Sequence, residues 1–386
     1  MSGYRSLHRE SVGSYPIWQV TTTPVLTKSI KSSKSPSWRF FTACGDGLVR
    51  GYLVQEKSLE SKQDALDASA CTCVCTHVFL GKAQKVSEPV STALGCSQVK
   101  VVRNYVGDDD MAGDLLVFSM DLSGRIRVWS VPEEMDEEVV NGDLPPPAEP
   151  EQVQVVQEFL VPNATGTCLE VYPPSSIGDI QIAVACLDGT IAVVATGINT
   201  PKAKKDPTDA GTILERWSKA GSIAMSGDWH PTKKNIVVGR QDGLVEILGE
   251  KPHRLIHHEA PVRAVTYTPD GNLLVTGSDD GMLAVWDVSR VHPVLVHHVV
   301  QAHASWILSV TPLMDSRRFV TCGADHRLHV WNVGQMDQSL HSFSSDDTVW
   351  TVHAHIRQRQ NLNAQQLARL VAGSETGGIQ IFSLEA

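Results

Sequence analysis

LLVTGSDDGMLAVWDV, residues 273–288, decides the architecture. A strand-like run of β-branched and apolar residues leads into the turn SDDG. A second run then ends, five residues past the turn glycine, on a tryptophan. The unit recurs as FVTCGADHRLHVWNV (319–333) and as LLVFSMDLSGRIRVWSV (115–131). A small self-similar unit cannot bury its apolar face alone, so such units stack side by side.

Seven copies share one register. The second turn residues are Gly47, Gly124, Gly189, Gly243, Gly281, His326 and Gly377. Five positions on stand Tyr52, Trp129, Val194, Leu248, Trp286, Trp331 and Phe382, all apolar or aromatic. Before the turn residue come Asp46, Ser123, Asp188, Asp242, Asp280, Asp325 and Thr376, whose side chains can bond to nearby backbone and hold a tight hairpin. Four residues earlier four copies carry Thr42, Ser119, Thr276 or Thr321, and the other three carry Val184, Val238 and Ala372.

Trp286-Asp287, Trp331-Asn332, the Asp-Gly turns and the upstream His303 make the chain resemble the WD-repeat family. The resemblance implies an all-β, seven-bladed β-propeller over residues 1–386. It also implies a structural hydrogen-bond relay of histidine, Ser/Thr, aspartate and tryptophan. The sixth repeat supplies His303, Thr321, Asp325 and Trp331. The fifth supplies Thr276, Asp280 and Trp286, with His257 or His258 as its histidine. Repeats three, four and seven lack most of the relay and are expected to depend on apolar packing.

Seven blades of about 40–45 residues need roughly 300 residues, and the chain has 386. Spacings between turn residues are 77, 65 and 54 from 47 to 243, then 38, 45 and 51 to 377. The early repeats therefore carry insertions, at 56–70, at 132–152 and at 199–211. The second is acidic and proline-rich and is expected to be disordered. The last repeat runs out after its third strand, so residues 3–13 are expected to add the outer strand that closes the ring.

The formal charge is −10, and without a basic stripe the chain is not expected to bind nucleic acid directly. No apolar run reaches the roughly 18 residues of a membrane span, and the N-terminus lacks the apolar core of a signal peptide. The expected location is cytosol or nucleus. Cys71, Cys73 and Cys75 alternate in CTCVC and read as reduced thiols in a blade, because the matched C-x-x-C pairs of a metal site are missing. No nucleophile elbow, H-E-x-x-H, P-loop or G-x-G-x-x-G after a strand was found. His303 reads as a hydrogen-bonding residue. The pairs His257-His258 and His297-His298, with His353 and His355, are expected in outer strands and loops. No cofactor is expected.

A narrower resemblance lies in HASWIL (303–308), DDTVWTV (346–352) and the opening YPIWQV with FFTACGDGLVRGYLV. These stretches are similar to the WD-repeat subunits of superkiller complexes, which also serve in the RNA-polymerase-II-associated factor complex. That resemblance implies a non-catalytic adaptor. Its partners would be a tetratricopeptide-repeat subunit with an RNA helicase, feeding mRNA to the exosome, and elongation-factor subunits. A ubiquitin-ligase substrate receptor or a signalling scaffold is the alternative, and an enzyme would need converging carboxylates, histidines or metal ligands at the channel, which the residues expected at its mouth do not supply. Setting Val20, Val102, Val171, Gly227, Val265, Val310 and Val352 as equivalent places Trp18, Lys100, Leu169, Met225, Arg263, Leu308 and Trp350 around the channel mouth. Trp306 extends the set. Large aromatics and arginine there are binding anchors on this reading, and inner-strand packing residues on the plainer one. Trp129, Trp286 and Trp331 read as core.

Overall fold

The computed structural model describes residues 4–11, 15–23, 37–56, 71–80, 96–103, 114–132, 150–172, 179–199, 209–217, 221–357 and 367–385. They form seven antiparallel-based sheets and, among the described residues, no helix. Six sheets have four strands and one has five. The inner strands are Ile17–Thr22, Cys96–Arg103, Ala164–Val171, Ala224–Trp229, Val262–Tyr267, Ile307–Pro312 and Val349–Arg357. Each touches the next and the last touches the first, which closes a seven-bladed propeller around a central channel.

The turns work as their residues require. Six of the seven second turn positions are glycines with φ between 74° and 85°, and the seventh, His326, sits at φ 64°. That left-handed region costs glycine nothing and is tolerated by few other residues. The carboxylates of Asp46, Asp188, Asp242, Asp280 and Asp325 each accept the backbone N–H two residues on.

The core lies between blades rather than within them. Seven apolar clusters each join one sheet to its neighbour, for example Phe41, Phe79 and Trp129 between blades 1 and 2. The residues five past the turn, from Tyr52 to Phe382, are all at most 6% exposed. Strand Tyr4–Ser11 pairs antiparallel with Gly378–Glu385, Tyr4 opposite Leu384, and completes blade 7. The N-terminus thus closes the ring.

The insertion readings come out unevenly. Residues 57–70, 133–149 and 200–208 lie outside the described residues. The end of the acidic insertion is ordered, against expectation. Strand Glu151–Gln154 adds in parallel to Cys71–Leu80 as a fifth strand of blade 1. The chain then crosses to blade 2, where Gln157–Leu160 is the outer strand. The three cysteines of CTCVC lie in the cluster between blades 7 and 1, and burial pushes the Cys75 thiol up to about 11.

A candidate interaction surface at the channel mouth

The relay is built in blades 5 and 6. In blade 6, His303 Nδ1 lies 2.9 Å from Asp325 Oδ1, and its Nε2 lies 2.7 Å from Thr321 Oγ1. Trp331 Nε1 donates to the same hydroxyl at 2.9 Å. In blade 5 the histidine is His258, not His257. Its distances to Asp280 Oδ2 and Thr276 Oγ1 are 3.3 and 2.8 Å, and Trp286 Nε1 donates to Thr276 at 3.3 Å. His329 brings a third metal-ligating atom near His303 and Asp325. Both ring nitrogens of His303 are already engaged in the relay.

Blade 4 does not depend on apolar packing alone. The guanidinium of Arg240, fully buried, meets Glu246 at 2.6 Å. It also donates to the Ser222 carbonyl and, at 2.9 Å, to the Gly189 carbonyl of blade 3. Arg240 therefore forms an ion pair within blade 4 and a hydrogen bond to blade 3 where the relay is missing.

The mouth itself is made by a recurring irregularity. In six inner strands one extra residue interrupts the pairing with the second strand: Trp18, Ser97, Met225, Arg263, Leu308 and Trp350. In blade 3 four residues, 165–168, stand opposite one, with Gly166 at φ 70°. A bulge bends the strand and re-aims its side chain, so the same device operates in every blade at the turn-side end of the inner strand.

This register corrects two of the eight mouth residues. Partnered by Ser119 and Val184, the true equivalents of Val20 are Val99 and Leu169, not Val102 and Val171. Leu169 is accordingly core, fully buried between blades 2 and 3. Lys100 lies deeper in the channel. Leu308 occupies its bulge but is only 7% exposed, so its area is already spent on packing. Trp18, Met225, Arg263 and Trp350 are half-buried, and Trp306 is 48% exposed. Arg263 is held by both oxygens of Asp279, at 2.7 and 3.0 Å, with its guanidinium 5.5 Å from the Trp306 ring. Trp350 Nε1 donates to Glu375. Two residues were missed in the sequence, Leu122 and Leu187, 41% and 60% exposed in the blade 2 and blade 3 turns. An apolar residue inside DLSG and CLDG, where turns are otherwise polar, was the signal.

One step past the corrected register stand Thr21, Lys100, Glu170, Asp228, Thr266, Thr311 and His353, one residue per blade. Lys100 Nζ meets Glu170 Oε1 at 2.7 Å. Asp228 accepts from the Thr266 hydroxyl at 3.0 Å and the Tyr267 N–H at 2.8 Å. His353 Nδ1 lies 3.0 Å from the Thr22 hydroxyl. A cavity of 280 Å³ opens beside Thr21, Thr22, Lys100, Glu170 and His353. Burial pushes Glu170 up to about 7 against the pull of Lys100, and burial with the charge of Lys100 pushes His353 down to about 4. Carboxylates and a histidine therefore do gather in the channel, contrary to the sequence reading, and both His353 and His355 are on an inner strand rather than an outer one. Lys100 and Glu170 neutralise one another, and Asp228 is tied to blade 5. The layer links inner strands.

Residues 249–287 and 295–332 match the family "WD domain, G-beta repeat", across the two relay-bearing blades. The chain is 33% identical over 104 residues to telomerase protein component 1 of Rattus norvegicus, covering 26% of this chain and 4% of that one. It is 26% identical over 153 residues to WD repeat-containing protein 90 of Mus musculus, covering 39% and 8%. It is 30% identical over 132 residues to WD repeat and SOCS box-containing protein 1 of Homo sapiens, covering 32% and 30%. The chain thus spans less than a third of the length of each of these relatives.

Proposed function

Because the chain is a WD-repeat β-propeller, a fold that generally serves as a non-catalytic interaction scaffold, we propose that it is the WD-repeat subunit of a superkiller complex. In that role it holds a tetratricopeptide-repeat subunit together with an RNA helicase, and the assembly delivers mRNA to the exosome for 3′-to-5′ decay. A second place of work is the RNA-polymerase-II-associated factor complex, in transcription elongation and histone modification. Its locations are cytoplasm and nucleus.

What supports this reading is where the stretches that resemble superkiller WD-repeat subunits lie. Residues 303–308 and 346–352 form the mouth side of adjacent blades 6 and 7, and they contain Trp306 and Trp350. With Arg263, Trp18 and Met225 they line the mouth with half-buried or exposed side chains, among which the rigid tryptophans bury much area for little lost entropy. A short apolar-aromatic segment of a larger partner suits such a ring. The test is affinity purification of the tagged chain from cells with mass spectrometry. Recovery of a tetratricopeptide-repeat protein with a DExH-type helicase supports the superkiller role. Elongation-factor subunits alone move the function to the nucleus. A cullin or a G-protein in their place contradicts the proposal.

A further inference from the structure

The outer edges of blades 4 and 5 meet along a seam of histidines. His253 begins the blade 4 outer strand His253–Ile256, and His257 follows that strand directly. His298 stands in the blade 5 outer strand Val294–Val299, and His292 precedes it. The rings pair across the seam. His257 and His298 have centres 5.4 Å apart at 56°, and His253 and His292 are 6.0 Å apart at 83°.

The first pair contains an anomaly. His257 Nε2 is buried and has no hydrogen-bond partner. A buried ring nitrogen left unpaired costs about 1–3 kcal/mol, and such groups call for an explanation. Packing gives none, because the other neighbours of the ring are Trp286 and the relay histidine His258. Both nitrogens of His258 are engaged with Asp280 and Thr276. Among the described residues, the His298 ring, 5.4 Å away between centres, offers a second nitrogen ligand, and His298 itself is exposed.

We propose that His257 and His298 form a binding site for a borderline divalent transition metal such as Zn²⁺. A tetrahedral zinc about 2.0–2.1 Å from each ring nitrogen sets the two imidazole centres roughly 5.3 Å apart, close to the 5.4 Å observed. The wider, perpendicular His253–His292 pair fits that bite less well. Imidazole favours zinc, nickel and copper over the hard cations calcium and magnesium. Two protein ligands leave positions for water or for a side chain from a partner. The metal clips the chain leaving blade 4 to the free edge of blade 5, and it answers the orphaned nitrogen.

The test is isothermal titration of the full, untagged chain with Zn²⁺, with Mg²⁺ as the control. The parent is expected to bind Zn²⁺ and not Mg²⁺. His257→Gln with His298→Gln should weaken zinc binding at least tenfold, and His253→Gln with His292→Gln should leave it within about threefold. His298→Gln alone, on an exposed strand position, gives the same loss without touching the packed ring. The proposal is overturned if the parent takes up no Zn²⁺, or if either the His257/His298 double variant or His298→Gln binds as the parent does.

Discussion

Blades 5 and 6 hold their shape with a different chemistry from blades 2, 3 and 4. In blades 5 and 6 a hydroxyl at the centre of each sheet, Thr276 or Thr321, gathers histidine and tryptophan, and the histidine reaches the turn aspartate. The blade is tied within itself. Among blades 2, 3 and 4 the ties run between blades: Lys100 to Glu170 and Arg240 to the Gly189 carbonyl. Both kinds of tie sit beside the same series of apolar seams between blades. The His–Thr–Asp–Trp relay repeats from blade 5 to blade 6, whereas the inter-blade ties are particular to each blade.

The largest expected effect breaks a charged tie. Arg240→Ala removes the buried partner of Glu246 in a nearly closed site and leaves the exposed Arg254 beside it. Removing one partner of a buried pair costs about 3–5 kcal/mol. Urea denaturation should show that loss, and Arg240→Met with Glu246→Leu should restore most of it. If the single variant lost under 1 kcal/mol, blade 4 would stand on apolar packing after all.

Next in size is the relay. Thr321→Val strands the indole N–H of Trp331 and one nitrogen of His303, at about 1–3 kcal/mol for each unmade bond. Thr276→Val should cost less, because the Trp286 bond is longer, at 3.3 Å against 2.9 Å. Equal losses in the two blades would mean that these distances do not track energy.

A smaller effect separates the two chemistries by pH. Glu170 has its folded value raised to about 7, so its contribution is full below the unfolded carboxylate range and fades as pH rises through 7. His353 and His329 are held down near 4, so their contribution is full above about 6.5 and fades as pH falls. Glu170→Gln should flatten the fall in stability between about pH 4.5 and 7, and leave the opposing histidine contribution in place. An unchanged slope in that window would assign it elsewhere.

This contrast also governs what could be read from the sequence. The propeller, its seven turns, the buried Tyr52-to-Phe382 series and the closing N-terminal strand were legible because turn glycines and strand hydrophobics recur at fixed offsets. The blade 6 relay was legible residue by residue. The mouth was legible only where inner strands follow the two-residue alternation. In blade 2 the run Val99, Val101, Val102 looks apolar in either phase, and the reading slipped by three. In blade 3 Val171 lies two residues past the true equivalent, Leu169, so counting back by two lands on the core residue Leu169 itself. With both strands in the wrong register, Lys100, Glu170, Asp228 and His353 could not be seen as one layer. Arg240 and Glu246 carry no recurring pattern, because that tie is used once.

The mouth is the claim on which the proposed function stands, and quantitative co-purification of parent and Trp350→Ala chains tests it most directly. Trp350 is half-buried at a bulge, so its loss should leave the urea midpoint nearly unchanged. A binding anchor of this kind contributes about 2 kcal/mol or more, so recovery of the tetratricopeptide-repeat partner should fall by an order of magnitude or more. Equal recovery of that partner by a folded Trp350→Ala chain would contradict the account and return Trp350 to ordinary packing.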